Sequence, residues 1–144
     1  HRIAAFSQES TRYVNYGKRG ACQFIIPQWV SLYDQGEYEI GIGRAIKNEH
    51  MNPDSIWFWS MLEAEDSYLQ MLKKGWTPQQ ARSVLPNSTK TEVVATMNLR
   101  EWRYVLKLRT SKAAHPQMRE VMLILLCMLK NSELACVFED VNVE

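Results

Sequence analysis

Cysteine is scarce and unpaired in this sequence. Cys22, Cys127 and Cys136 are odd in number, show no C-x-x-C spacing and have no histidine at zinc-ligand distance. That argues against a disulfide framework or a zinc site, so no metal is expected and a reducing cytoplasm is the simplest location. Long apolar runs are also missing. The longest, Val121 to Leu129, is too short to cross a bilayer, and no signal peptide is visible, so a soluble chain without a membrane partner is expected. An excess of one charge is lacking too: 17 Lys and Arg face 16 Asp and Glu, for a net charge of +1. There is no overall attraction to nucleic acid or anionic lipid, and any basic partner surface must be local. An initiator methionine is absent as well, and the opening at His1 suggests a preceding segment.

What remains is ordinary globular composition. With 46% hydrophobic and 23% charged residues over 144 positions, the chain suits a single domain, 1–144, with room for a core. Its densest chemistry lies in the first thirteen residues, H-R-I-A-A-F-S-Q-E-S-T-R-Y. Arg2 and Arg12 offer planar forks that match phosphate oxygens, and the hydroxyls of Ser7, Ser10 and Thr11 can complete an anion cradle. A polar edge strand or loop is the plainer account of the same letters. Ser10 resembles a nucleophile by type, but no His-Asp pair at clear spacing supports that role, so it reads as a phosphate ligand.

Val14 to Pro27, punctuated by Gly17, Gly20 and Pro27, reads as loop and short extended segment, with Lys18 and Arg19 as solvated loop charges. Gln28 to Met51 is irregular and reads as a surface excursion with a turn or two of helix. A long amphipathic helix opens at Asn52-Pro53-Asp54, carries Ile56, Trp59, Met61, Leu62, Tyr68, Leu69 and Leu72 inward, and ends at Gly75. Consecutive Trp57, Phe58 and Trp59 point in different directions on such a helix, which favours core and subunit packing over base stacking.

A second helix opens on Thr77-Pro78-Gln79-Gln80, turns Ala81, Val84 and Leu85 inward and stops at Pro86. Arg82 on it would ordinarily be a snorkelling surface residue. The β-branched run Thr91 to Met97 predicts a strand. It leads into a helix capped by Asn98, with Leu99, Trp102 and Leu106 on one side and Arg100, Tyr104 and Leu108 on another, ending at Leu108-Arg109-Thr110-Ser111. The last helix, about Pro116 to Lys130, is apolar nearly all round and suggests a subunit interface; His115 before it reads as a cap or loop residue.

Several of these pieces, in this order, resemble one family. His1-Arg2, seven residues and then Ser10, within Ser-Gln-Glu-Ser-Thr-Arg-Tyr, resembles the Arg-His-Arg-x7-Ser signature of the flavin-dependent thymidylate synthases, whose leading Arg would precede His1. Ala81-Arg82-Ser83-Val84-Leu85-Pro86 resembles its A-R-x-V-L-P segment, and Asn98-Leu99-Arg100-Glu101 with Leu108-Arg109 resembles its N-x-R-E/S…L-R pattern. The likeness runs from His1 to about Lys130. It implies an α/β (α+β) fold, long helices packed on a small sheet, as in thymidylate synthase-complementing proteins. It also implies a cytoplasmic homotetramer with shared active sites and no nucleic-acid partner. The activity implied is a methyltransferase, dUMP to dTMP, with 5,10-methylenetetrahydrofolate as carbon donor, FAD as flavin and NADPH as reductant.

Carried over residue by residue, Gln8, Ser10, Arg12, Arg82 and Arg109 would hold dUMP, and Arg109 would be catalytic, a fixed cation beside the ring where negative charge develops. His1, Arg2, Ile3, Asn98 and Arg100 would contact the flavin, joined by Tyr104, which stands where some members carry a flavin-contacting Asn. Three other readings stay open. A non-catalytic nucleotide- or RNA-binding module should show a basic stripe, which the charge balance disfavours. A helical interaction protein would leave the opening motif without purpose. A relative that hydroxymethylates dUMP would carry the same residues.

Overall fold

The computed structural model describes residues 3–31 and 52–142. From residue 32 onward, the excursion expected over Gln28–Met51 lies outside them, as do His1 and Arg2. The chain divides into two compact units, one spanning Gln8–Glu92 and the other combining the N-terminal strand with everything from Val93 onward.

The first unit is built on α1 (Pro53–Lys73). Asn52 caps it as expected, its side-chain oxygen accepting from Ser55 N at 2.8 Å, with Pro53 at the first helical position where no N–H is needed. Its end follows from one glycine. Gly75 has φ +94, and the chain closes with Trp76 N donating to Met71 O and Gly75 N to Leu72 O, each 3.0 Å, the paired bonds of a left-handed helix stop. The inward stripe narrows to a core of Tyr16, Cys22, Tyr68 and Ala81, with Val14, Phe24, Leu69, Met71, Leu72 and Leu85 packed against it. Tyr68 is its centre: the ring meets Tyr16 edge-on at 5.9 Å, and the hydroxyl accepts from Tyr16 N at 3.4 Å while donating towards Val14 O at 3.5 Å. Ile56, expected inward, is 46% exposed. Phe58 and Trp59 meet edge-to-face at 6.0 Å and are half-buried, so they form no flat stacking platform.

The second expected helix is shorter than its sequence suggests. α2 (Pro78–Ala81) holds only four residues, and Arg82–Val84 tightens into a 3-10 turn. Pro86 is the cause: its ring bars Leu85 from the helical region, and Leu85 is extended at φ −72, ψ 130. Ala81 is buried and Leu85 packs inward, but Val84 points out, which corrects the expected inward face. The chain then runs beside the 23–25 segment, with a bridge between Phe24 and Thr89.

The second unit holds β1 (Ala4–Gln8) paired with β2 (Val93–Met97), then α3 (Leu99–Arg109), α4 (Pro116–Lys130) and α5 (Ala135–Phe138). Asn98 caps α3 as expected, accepting from Glu101 N at 2.8 Å. The core is Leu106, Leu126, Phe138 and Val141, with Trp102, Met122, Leu125, Leu129 and Val137 around it. Thr110, buried at the end of α3, donates its hydroxyl to Leu106 O at 2.8 Å, and its own carbonyl receives Arg119 Nε at 2.9 Å. Arg103 fastens the last turn, donating to Val137 O and pairing with Asp140 at 2.7 Å. α5, its fully buried Phe138 and the fully buried Val141 three residues beyond it were not expected from the sequence. α4 buries one face, while Val121, Ile124 and Met128 on the other are 58%, 59% and 66% exposed. The mixture of helices with a two-stranded sheet is the α+β class expected.

Candidate functional site

The first unit contains an open cleft of about 380 Å³, lined by Gln8, Glu9, Ser10, Thr11, Arg82, Leu85, Pro86, Thr89 and Thr91. One wall is the turn that follows Gln8. Glu9 is held on both backbone atoms, its N–H donating to Glu92 O at 2.8 Å and its carbonyl accepting from the Thr91 hydroxyl at 2.9 Å. Ser10 then bends the chain: its carbonyl accepts from Tyr13 N and Val14 N, and its hydroxyl accepts from Arg12 N at 3.3 Å. A serine that binds the N–H two residues ahead stabilises such a turn without a glycine. The facing wall is the 3-10 turn and the proline that ends it.

Two arginines cross between the walls. Arg82 donates Nη1 to Thr11 Oγ1 at 3.2 Å, and Arg12 donates Nε to Gln79 Oε1 at 2.6 Å. Each guanidinium thereby reaches from its own segment to the other, and a fork steadied on one nitrogen keeps its remaining N–H groups for an anion. Arg12 also stands 5.2 Å above the Tyr13 ring. Four residues expected at the substrate, Gln8, Ser10, Arg12 and Arg82, thus share one unit and one neighbourhood, with Arg12 beside the lining rather than on it.

The other expected residues belong to the second unit. Asn98 spends its side-chain oxygen on the helix cap, which leaves its amide N–H groups as donors. Arg100 and Tyr104, four apart on α3, lie one turn from each other on an exposed face. Arg109, also exposed, is nine residues beyond Arg100, about half a turn round the axis and roughly 13 Å along it. One helix therefore cannot aim Arg100 and Arg109 at the same small group. Ile3, just before β1, is exposed.

Residues 1–132 match the family described as thymidylate synthase complementing protein. The chain belongs to that family. It is 34% identical over 148 aligned positions to a flavin-dependent thymidylate synthase of Corynebacterium efficiens, covering all of this chain and 55% of that one. With the enzyme of the same name from Pyrococcus abyssi it shares 31% identity over 122 positions, 84% of this chain and 43% of the relative. The chain therefore spans about half the length of the curated relatives it matches. Two solved structures of thymidylate synthase X from Helicobacter pylori, both with FAD and dUMP, superpose with a TM-score of 0.60 at 22% identity. They cover 97% and 96% of this chain and 62% of their own, a likeness that establishes a shared fold.

Two contacts around the cleft have no signal in the sequence. Gln79, read only as part of a helix start, anchors Arg12 across 67 positions. Arg19, read as a solvated loop charge, pairs its Nη1 with Glu9 Oε1 at 2.9 Å on the cleft lining. A polar residue three or four positions from no obvious partner gives no local signal, so only the folded chain reveals these contacts.

Proposed function

We propose that this protein is a flavin-dependent thymidylate synthase: it transfers a one-carbon unit from 5,10-methylenetetrahydrofolate to C5 of dUMP, with FAD as flavin and NADPH as reductant. Residues 1–144 act in it as a single catalytic domain, within a cytoplasmic homotetramer whose active sites are shared between subunits. The observation that carries the reading is the cleft with Arg82 tied to Thr11 and Arg12 tied to Gln79, a preorganised set of anion donors in a family member. The relatives named for this activity, and the neighbours solved with FAD and dUMP, support it.

On this reading the dUMP phosphate is held by Arg82 and Arg12 with the Ser10 hydroxyl and the Gln8 amide, and the binding energy of that remote phosphate orients the uracil. Arg109 supplies a fixed positive charge where the ring becomes electron-rich at C5, so stabilisation needs no reorganisation. The donors on α3 fit a flavin: Arg100 and Tyr104 combine a cation and an aromatic ring on one exposed face, and the Asn98 amide remains free to donate. They would hold it together with Ile3, and with His1 and Arg2, which lie outside the described residues. FAD supplies the redox chemistry when bound. Because Arg100 and Arg109 point to opposite sides of α3, a flavin and a uracil that touch in the reaction would be reached from helices of different subunits. The exposed Val121, Ile124 and Met128 of α4 offer an apolar surface for that assembly.

The test is the visible absorbance spectrum of the purified protein during titration with FAD and then dUMP. A bound flavin whose spectrum shifts on adding dUMP is the expected result, and in Arg82→Ala the flavin should still bind while the shift needs far more dUMP. A protein that binds flavin but never responds to dUMP would overturn the reading.

A further inference from the structure

Among the described residues that line the cleft, Arg82 is the only cation and Glu9 the only anion. A carboxylate there opposes a phosphate that Arg82 would attract. The Glu9 side chain is only 14% exposed, and its backbone is held on both sides by Glu92 and Thr91, which keeps the residue on the cleft wall. Arg19 meets that carboxylate from outside the lining at 2.9 Å. Its own loop is tied to the core, Arg19 N donating at 3.1 Å to the carbonyl of the buried Tyr16.

We infer that Arg19 is a positioning residue for phosphate binding: it neutralises and holds Glu9 so that the cleft presents a net positive charge to a nucleotide monophosphate. The inference rests on the proposed dUMP reading. It assigns work to a residue that touches neither substrate nor cofactor. Without Arg19 the Glu9 carboxylate is left uncompensated beside Arg82, free to oppose the phosphate and to compete for the guanidinium.

Calorimetric titration of the FAD-loaded protein with dUMP tests it. Arg19→Gln should weaken dUMP binding about five- to tenfold, the scale of one uncompensated charge at a partly solvated site. Arg19→Lys, which keeps the charge, should stay within about twofold of wild type. The decisive variant is the double substitution Glu9→Gln with Arg19→Gln, which should return affinity to near the wild-type value. A merely structural role for Arg19 predicts no such recovery, and a double variant as weak as Arg19→Gln overturns the inference, as does wild-type affinity in Arg19→Gln itself. If Arg19→Gln does not fold, Glu9→Gln alone decides: it must bind dUMP at least as tightly as wild type, and weaker binding overturns the inference. Failure of the wild-type protein to bind dUMP is a different outcome, which removes the proposed function and the inference together.

Discussion

The two units keep their candidate functional residues in opposite conditions. In Gln8–Glu92 the polar side chains of the cleft are already engaged: Arg12 on Gln79, Arg82 on Thr11, Arg19 on Glu9. In the unit that begins at Val93, Arg100, Tyr104 and Arg109 are exposed and make no side-chain hydrogen bond among the described residues. A side chain held by neighbours loses little further freedom when a ligand arrives, whereas an exposed arginine must be ordered at that moment. The first unit therefore carries the proposed anion donors already steadied by neighbours, while α3 carries proposed donors whose order would have to come from what docks on them.

The largest test of this contrast concerns the cores. Phe138 is fully buried on the four-residue α5, which has no periodicity to hold it in place without that side chain. Phe138→Ala should cost about 3–5 kcal/mol in denaturant unfolding, the usual loss for a large core aromatic. A cost below about 1 kcal/mol would mean that the second unit is not organised around this residue.

Assembly comes next. The proposed shared site needs the outer face of α4, so Ile124→Glu, which leaves the inward Leu126 untouched, should shift the protein to smaller species in sedimentation. An unchanged mass would move the interface elsewhere. Two substitutions then set the units directly against each other. Arg82→Ala should weaken dUMP binding about ten- to a hundredfold, the worth of a charge-assisted bond to phosphate, and leave flavin affinity alone. Arg100→Ala should do the reverse. Equal effects of both on both ligands would abolish the division of labour.

How much of this was legible in the chain depends on the range of the contact. Asn52, Asn98, Pro53 and Gly75 act on neighbours within five residues, so the starts of α1 and α3 and the end of α1 could be read from the letters alone. Pro86 was read correctly as a stop, but its strain on Leu85 was underestimated, and a helix was expected where a 3-10 turn stands. α5 escaped because four residues cannot show a period, and Phe138 with the following Val141 joins a core formed with α3 and α4. Arg12 stands out by its donors beside Ser10 and Thr11, whereas Arg82 stands out only through resemblance to a family. Gln79, which holds Arg12, and the pairing of Arg19 with Glu9 do not stand out, because a hydrogen bond across 67 positions or an ion pair across a turn leaves no mark on local pattern.

The smallest effect separates the units by pH. In the second unit the Arg103 guanidinium, hydrogen-bonded to Asp140, holds that carboxyl down at about 2, with Lys107 assisting at 3.5 Å. A depressed carboxyl contributes stability that is present above its ordinary value, near 4, and is lost as pH falls through about 2. The pair is exposed, so the contribution is small and salt should screen it. The first unit also has a carboxyl held down, Glu92 by Lys90, but at Cys22 the sign is opposite. Burial, with Glu65 nearby accepting Cys22 N at 2.7 Å, pushes the Cys22 thiol up to about 11. A raised thiol contributes stability that is complete below its ordinary value, near 9, and is lost as pH rises towards 11, because the unfolded chain ionises first. Melting temperatures measured from pH 2 to 11 should therefore fall at both ends for different reasons. Asp140→Asn should flatten only the acid limb and Cys22→Ala only the alkaline one. If one substitution altered both limbs, the Asp140 and Cys22 titrations would not be independent of each other.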